Sequence, residues 1–279
     1  MVQVADQVTN ALPRVGDPAA AERGLARWSR LPESSTIRWG DVDGERLLAS
    51  VFGNSPYLSE LLLSEPAVLA RMLEAGPDAA LDWLLAEHAA EPSDNRARVM
   101  TRLRRAKRRL ALLTALADIT GLWPLERITE VLSRFADLAT QEAVDLILRE
   151  AAQRGEIELA DSERPQEESG FVVIGMGKLG AFELNYSSDI DLIVLFEPTR
   201  LRYRGRESPM GFAVRLTRAL VHVLEHRTRD GYVFRTDLRL RPHPPGHPLA
   251  LSIEDAEQYY ERHGQNWERA ALIKARVVA

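Results

Sequence analysis

The chain of 279 residues contains no cysteine. This absence excludes disulfide bonds and cysteine-ligated metal sites, and it fits a reducing compartment, so we expect a cytoplasmic protein. The sequence also lacks an apolar run of roughly 18 residues, the least that a membrane-spanning helix needs. Residues 1–10 do not follow the basic, apolar and small-residue order of a signal peptide. We therefore expect no contact with a membrane.

Aromatic residues are scarce, and acidic residues outnumber basic ones to give a net charge of −5 at pH 7. Such a balance provides no overall field that favours nucleic acid. One stretch departs from it: eight of the fourteen residues from Arg96 to Arg109, called the basic segment below, are Arg or Lys. It holds no aromatic residue on which a base could stack. The composition favours a structural or interdomain role over RNA binding, and a contribution to phosphate or partner binding stays open.

The first part of the chain predicts helices. Apolar residues recur there at spacings of three and four, which places them on one face of a helix. We expect a short helix near residues 19–28 and a long one over residues 125–154. Because proline cannot continue a helix, breaks are expected at Pro66, Pro77, Pro92 and Pro124. A polar, acidic stretch follows, and we place the boundary between a helical region, residues 1–155, and a second domain, residues 156–279.

The second domain mixes strands and helices, which predicts the α+β class with a small mixed sheet. Short apolar runs predict strands, and apolar residues four apart predict helices. The elements expected in order are strands at 171–174 and 192–196, a helix at 209–227, an alternating strand at 231–242 and a last helix at 253–276.

Two carboxylates, Asp189 and Asp191, lead directly into the apolar run that ends at Phe196. Residues two apart on a strand point to the same side, so both carboxylates project from one face. Carboxylates that close repel each other unless a cation lies between them. The hard, oxygen-preferring Mg²⁺ ion suits this position and would bring a nucleotide phosphate with it.

A third carboxylate, Asp237, lies in the alternating segment. Arg235, Arg239 and Arg241 fall on the same face of that predicted strand. An acid among arginines suits a metal ion beside a phosphoryl group. The alternative is a solvated strand face with internal Asp–Arg pairs, which contribute little to stability.

The glycine turn of residues 175–180, Gly-Met-Gly-Lys-Leu-Gly, follows the first strand. Its glycines allow a tight turn in which backbone N–H groups approach a phosphate. The spacing also matches the dinucleotide-binding fingerprint, but that fingerprint is followed by a single acid about 20 residues on. A Walker A loop would need Ser or Thr after Lys178, where this chain has Leu179.

The histidines predict little chemistry. His222 and His226 are four apart on the predicted helix at 209–227, but no HExxH pattern accompanies them. His243 and His247 are expected in a proline-rich loop.

Three segments together resemble the signature of the glutamine synthetase adenylyltransferase family. They are residues 173–192, residues 236–242, and residues 264–269 running into 274–276. The helical lead-in, from about residue 52 to 151, is also similar. The resemblance implies a nucleotidyltransferase domain of the DNA-polymerase-β type. Family members carry two such domains: one removes AMP from a tyrosine of glutamine synthetase by phosphorolysis and releases ADP, and the other attaches AMP from ATP.

The form and position of these segments are similar to the first, adenylyl-removing copy. We therefore expect the chain to lack the following helical bundle, the regulatory region and the second catalytic copy. Glutamine synthetase is the partner that the resemblance implies. PII-type signalling proteins would act through the missing regions.

The resemblance also implies roles for individual residues. Asp189 and Asp191 would hold two Mg²⁺ ions, with Asp237 as third ligand and, in the transfer direction, as proton acceptor. ATP, ADP and phosphate are the expected substrates or products. The residues expected to contact phosphate or nucleotide are Gly175, Gly177, Lys178, Gly180, Ser187, Ser188, Arg239 and Arg241.

Two other functions stay open at this point. One is an RNA-tailing nucleotidyltransferase that uses the basic segment to hold RNA. The other is a non-catalytic module that docks on glutamine synthetase or a regulator.

Overall fold

The computed structural model describes residues 12–40, 42–242 and 248–279, so His243 and His247 lie outside it. Contacts group the described residues into two compact units. The first consists of residues up to Pro92 together with Arg105–Ile128, and the second of Ser93–Arg104 together with Thr129–Ala279. The boundary near residue 155 stays a prediction. It marks the change from helices to strands along the sequence, whereas the contacts group most of the helix Leu125–Gln153 with the sheet.

Every regular element in the described part of the first unit is a helix. Three consecutive helices begin at a proline, because the first position of a helix needs no N–H donor. The breaks expected at Pro66 and Pro77 are therefore confirmed as helix starts. Its helices are α1 (Pro18–Trp28), α2 (Gly44–Phe52), α3 (Pro56–Ser64), α4 (Pro66–Ala75), α5 (Pro77–Ala89) and the later part of α6 (Arg96–Ile119).

Arginine–glutamate pairs tie the later part of the basic segment into this unit. Arg109 donates to Glu65 over 2.8 Å and to Glu87 over 2.5 Å. The side chains of Arg109 and Glu65 are each only 14% exposed, so this pair is little screened by solvent. Fully buried leucines from four helices, Leu47, Leu62, Leu69 and Leu113, form the apolar core beside them.

The second unit begins with the earlier part of the basic segment, which also pairs internally. Arg96 donates to the Glu150 carboxylate through both Nε and Nη2, and Arg102 donates to Glu142 over 2.7 Å. Both acids belong to α7 (Leu125–Gln153). These pairs are consistent with a structural role for this part of the basic segment, which stays a prediction.

The sheet of the second unit is built around a buried central strand. β2 pairs with β1 in antiparallel fashion and with β3 and β4 in parallel fashion, and β1 also pairs with β5. The predicted α+β class, with helices first and a small mixed sheet, is confirmed. The strands are β1 (Phe171–Gly175), β2 (Ile190–Phe196), β3 (Thr236–Asp237), β4 (Leu251–Ser252) and β5 (Arg276–Val277).

Helices complete this unit. They are α8, a single turn at Gly177–Gly180, α9 (Pro209–Glu225), α10 (Ile253–Arg262) and α11 (Asn266–Ala271). The longest of them, α9, starts at a serine cap, where the Ser208 hydroxyl accepts from Gly211 N over 3.0 Å. Its predicted four-residue apolar spacing forms the buried face, represented by Phe212, Leu216 and Leu220. That face packs the helix against β3 and β4.

The strand expected over residues 231–242 is wrong for most of its length. Only Thr236–Asp237 forms a strand. The Asp237 carboxylate accepts a hydrogen bond from the backbone N–H of Arg239 over 2.8 Å, and this local bond turns the chain out of the ladder. The alternating pattern was therefore a poor guide to backbone conformation here.

The single last helix expected over residues 253–276 is also wrong. α10 ends at Arg262, and a new helix starts after Gln265. Glu268 closes a capping box by accepting from Gln265 N over 2.7 Å, which stabilises a helix start in place of a continuation. The chain then enters a 3₁₀ turn, Leu272–Lys274, and β5. In the described ranges no helix is both long and apolar enough to cross a membrane.

Candidate active site

Strand pairing brings the three predicted carboxylates to one place. Asp191 and Asp237 are direct register partners on the parallel strands β2 and β3. Paired residues of neighbouring strands lie roughly 5 Å apart and project to the same face. Asp189 immediately precedes β2, and its charge lies close enough to Asp191 to raise the pKa of that carboxyl. The parallel register therefore assembles the acidic cluster.

Asp191 is the most constrained of the three. Its backbone carbonyl accepts from Met176 N over 2.9 Å, which joins β2 to the glycine turn. Burial raises the pKa of the Asp191 carboxyl, and repulsion from Asp237 and Asp189 raises it further. A group in this position gains most from a nearby cation.

Asp237 is held in its ionised form by Arg239. The guanidinium of Arg239 binds both carboxylate oxygens, with Nε 2.8 Å from Oδ2, in addition to the backbone bond described above. These hydrogen bonds lower the pKa of Asp237. The Asp237 side chain is 15% exposed, whereas that of Arg239 is 87% exposed, so the arginine is free to follow a ligand.

Asp189 is paired with a different arginine. Arg235 donates through Nε to the Asp189 carboxylate, and through Nη2 to the backbone oxygen of Ser187 over 2.8 Å. Both side chains of the ion pair are about half exposed. Arg235 thus closes the loop before β2, in which Ser187 adopts a positive φ of 54°.

The donor set fits a hard divalent cation. Three carboxylates supply only oxygen, the ligand type that Mg²⁺ prefers, and burial together with repulsion from Asp237 and Asp189 raises the pKa of Asp191. Among the described residues, however, no three acidic or histidine side chains already converge on a single point. Arg235 and Arg239 hold two of the carboxylates instead. Joint coordination would require Asp189 and Asp237 to turn from these arginines.

The glycines of the turn divide into two kinds. A β-carbon on Gly177 would lie 3.2 Å from Asp191 Oδ2, and the residue has a φ of +54°. A β-carbon on Gly180 would instead overlap Lys274 O at 1.6 Å, and one on Gly175 would press on Val278 and Leu179 at 2.8 and 3.0 Å. Gly177 alone of the three borders the carboxylates, while Gly175 and Gly180 allow close packing of the backbone.

The other predicted phosphate contacts are placed unevenly. Lys178 is exposed on the helical turn beside Gly177, and Ser188 is half-buried next to Asp189. Arg241 is committed elsewhere: its Nη1 donates to Leu238 O over 2.6 Å and its Nε to Pro248 O over 3.0 Å. Lys178 and Ser188 thus adjoin Gly177 and Asp189 along the chain, whereas the Arg241 guanidinium is bound to backbone oxygens.

Glu225 is a site residue that sequence reasoning missed. It is the last residue of α9, and its carboxylate accepts from both the backbone N–H and the hydroxyl of Thr236, next to Asp237. Glu225 and Asp237 also line an open pocket of about 420 Å³, together with Arg218, Arg239 and apolar side chains. No local pattern announces this contact, since it joins a helix end to a separate strand.

The His222–His226 pair does not extend the site. The two rings stack with centroids 4.6 Å apart. Burial, the neighbouring His226 ring and Arg96 lower the pKa of His222. Within the described ranges no third ligand joins them.

The fold and the carboxylates define a class of protein. It is an α+β protein whose acidic, oxygen-donor site lies on adjacent parallel strands beside a glycine turn. Residues 45–279 match the family model of glutamate-ammonia ligase adenylyltransferase. Since that match covers most of the sequence, the chain belongs to this family. The resemblance of the three signature segments is confirmed.

Curated relatives carry the name bifunctional glutamine synthetase adenylyltransferase/adenylyl-removing enzyme. The one from Bradyrhizobium diazoefficiens is 47% identical over 238 residues, which is 85% of this chain and 24% of that protein. The one from Bradyrhizobium sp. is 43% identical over 274 residues, 96% of this chain and 28% of that protein. The one from Rhizobium meliloti is 47% identical over 249 residues, 86% of this chain and 25% of that protein. The chain spans about a quarter of the length of these relatives.

Proposed function

We propose that this chain carries a nucleotidyl-transfer site that acts on the adenylylated tyrosine of glutamine synthetase. The observation that carries the proposal is the parallel register of Asp191 and Asp237, with Asp189 beside them and Gly177 against the cluster. Family membership supports adenylyl chemistry, and the relatives' printed name supports glutamine synthetase as the partner. A cytoplasmic setting and contact with PII-type proteins stay predictions.

Asp189, Asp191 and Asp237 would hold Mg²⁺, as two ions by the family pattern. When bound, Mg²⁺ would neutralise charge on the transferred phosphoryl group and on the leaving oxygen. The remaining work falls to the chain's own residues. Arg239 is exposed and adjacent to Asp237, so it can move from the carboxylate to a phosphate oxygen. Lys178 adds an exposed cation next to Gly177.

In the removing direction an oxygen of inorganic phosphate attacks the phosphorus of tyrosyl-AMP. A new phosphorus–oxygen bond forms and the bond to the tyrosyl oxygen breaks. The tyrosine side chain takes up a proton, so the products are unmodified glutamine synthetase and ADP. This direction requires no general base on the attacking group, because phosphate is already an anion.

In the transfer direction the tyrosine hydroxyl attacks the α-phosphorus of ATP and pyrophosphate leaves. The hydroxyl must lose its proton in this direction, and by the family pattern Asp237 would accept it. We propose removal as the principal direction for this copy because residues 173–192 resemble the adenylyl-removing copy.

Two assays on the purified chain test the proposal. The first supplies adenylylated glutamine synthetase, Mg²⁺ and phosphate, and measures ADP. The second supplies unmodified synthetase and ATP labelled in the adenylyl group, and measures label on the synthetase. ADP that depends on phosphate supports removal. Label transfer without ADP would reverse the assigned direction. If neither ADP nor labelled synthetase formed, that result would contradict a catalytic role for this chain.

Neither alternative function gains support from the site. The basic segment is paired with glutamates in each unit, as with Arg102–Glu142 and Arg109–Glu65, so these side chains are engaged rather than presented to RNA. A docking module without catalysis would have no need for a glycine packed against a cluster of carboxylates.

A further inference from the structure

Building on the proposed function, we infer that Glu225 is the positioning residue that holds Asp237 beside Asp191. Glu225 is not itself placed to touch the reacting atoms. It acts through Thr236, the residue immediately before Asp237, which it binds from the end of α9.

The contact is double. One carboxylate oxygen of Glu225, Oε1, accepts from Thr236 N over 2.5 Å and from Thr236 Oγ1 over 2.8 Å. Both donors belong to Thr236, so the position and the rotation of that residue are fixed together.

β3 needs such support because it is short. It contributes only Thr236 and Asp237 to the sheet, and the chain leaves the ladder at Arg239. Its ties to β2 include the bond from Ile190 N to Arg235 O, at 2.9 Å. A two-residue strand fixes its own register weakly, whereas the site needs Asp237 directly opposite Asp191.

The end of α9 that carries Glu225 is itself anchored. Arg104 has no exposed surface, and its guanidinium donates to Val223 O over 3.1 Å and to His226 O, on either side of Glu225. It also donates to Gly231 O over 3.0 Å, in the turn that leads to β3. A cation at a helix C-terminus satisfies carbonyls that lack partners within the helix. Glu225 therefore projects from a fixed support onto the strand that bears Asp237.

The test compares four variants of the full 279-residue chain. Glu225→Ala removes the acceptor, Glu225→Gln keeps an acceptor oxygen, and Thr236→Val removes the hydroxyl donor with little change of shape. Thr217→Val is the matched control, because it removes a buried hydroxyl on the same helix whose bond, to Ala213 O at 2.9 Å, does not reach the site. For each variant, phosphate-dependent ADP release gives kcat and KM, and electron paramagnetic resonance gives the affinity for Mn²⁺.

Loss of a supporting partner of a metal ligand typically weakens metal binding by about 10-fold or more, which is the effect expected for Glu225→Ala on Mn²⁺. Misplacement of a reacting group by about 1 Å can cost 100-fold in rate, so kcat should fall by about 10- to 100-fold while KM for phosphate stays nearly unchanged. Thr236→Val should share part of both losses. Glu225→Gln should stay within about 3-fold of wild type, because its amide oxygen can still accept.

Glu225→Ala with wild-type kcat and Mn²⁺ affinity would overturn the inference. The inference would also fail if Glu225→Gln were as impaired as Glu225→Ala, because charge rather than the hydrogen bond would then matter. It would fail as well if Thr217→Val were as impaired as Glu225→Ala. Failure of the proposed function looks different. In that case neither wild type nor Asp189→Asn would release ADP or bind Mn²⁺, and Glu225 would have no site to position.

Discussion

Gly177 lies directly against the carboxylate of Asp191, with room for a hydrogen but not for an unstrained β-carbon. The same glycine has a φ of +54°, a conformation that L residues adopt at a cost. The turn and β2 are therefore fitted to each other at the point where the acidic cluster forms. A residue with a side chain at position 177 would disturb both the backbone and the carboxylate.

The first prediction concerns Gly177→Ala. It should cost about 1 kcal/mol in stability from the positive φ. It should also reduce kcat by at least about 10-fold, because a 3.2 Å contact displaces the Asp191 carboxylate. Thermal unfolding and phosphate-dependent ADP release measure the two effects separately.

Gly155→Ala is the matched control for that experiment. Gly155 has a similar φ of +69°, but a β-carbon there would meet no atom within 4 Å. It should lose similar stability and keep wild-type kcat. Equal kcat in the two variants would mean that Gly177 serves the turn alone.

Gly180→Ala should behave differently from Gly177→Ala. A β-carbon on Gly180 would overlap the backbone oxygen of Lys274, which has no freedom to rotate away. We expect a loss of several kcal/mol or failure to fold, since a core overlap of this kind forces backbone shifts that cost about 1–3 kcal/mol or more. Urea unfolding checks this. A Gly180→Ala protein as stable as wild type would show that the close backbone approach is not required.

Asp191→Asn should raise the apparent Tm in the absence of divalent cations. The pKa of Asp191 is raised on folding, so the folded chain binds the proton more tightly than the unfolded chain. The ionised carboxylate therefore destabilises the fold above the usual aspartate range, and that penalty disappears as the pH falls below it. Asn removes the penalty, and a rise on the order of 2 °C at pH 7 corresponds to under 1 kcal/mol.

Differential scanning calorimetry at pH 7 and pH 3.5 tests the sign. The difference between Asp191→Asn and wild type should shrink at the lower pH, and it should reverse at pH 7 when Mg²⁺ stabilises wild type only. A lower Tm for Asp191→Asn at pH 7 without cations would contradict repulsion within the cluster.

Arg239→Ala should mainly raise the phosphate concentration needed for half-maximal turnover. A charged hydrogen bond contributes about 1.5 kcal/mol, which corresponds to roughly 10-fold in KM. Arg164→Ala, which removes another exposed arginine paired with an aspartate, is the control and should leave KM unchanged. A change in thermal stability without a change in KM would make Arg239 a structural partner of Asp237.

The sequence predicted the elements well where a single segment carries its own signal. The apolar face of α9, the strands around Asp191 and the proline helix starts all follow from local patterns. The alternating residues around Asp237 predicted a strand that is mostly absent, because the Asp237 carboxylate accepts from Arg239 N and the strand ends after two residues. The last helix failed for a similar reason, since the capping box of Gln265 and Glu268 starts a new helix.

The acidic cluster was predictable as a set of residue types, but its support was not. Nothing near Glu225 in the sequence indicates a bond to Thr236, and nothing near Gly180 indicates that Lys274 passes behind it. Such contacts depend on how distant segments pack together, which local spacing does not encode. The same applies to Arg241, whose alternating position suggested a phosphate contact, whereas its guanidinium holds backbone carbonyls.

The most direct test of the central claim is phosphate-dependent ADP release from adenylylated glutamine synthetase by wild type, Asp189→Asn and Asp161→Asn. Asp161 is a partly exposed aspartate paired with Arg164, outside the cluster, so its replacement controls for the loss of one charge. The account predicts that Asp189→Asn folds normally and loses activity by at least ~100-fold, the scale on which removal of one electrostatic stabiliser acts. Asp161→Asn should match wild type. A folded Asp189→Asn chain with wild-type turnover would contradict the assignment of the acidic cluster as the active site.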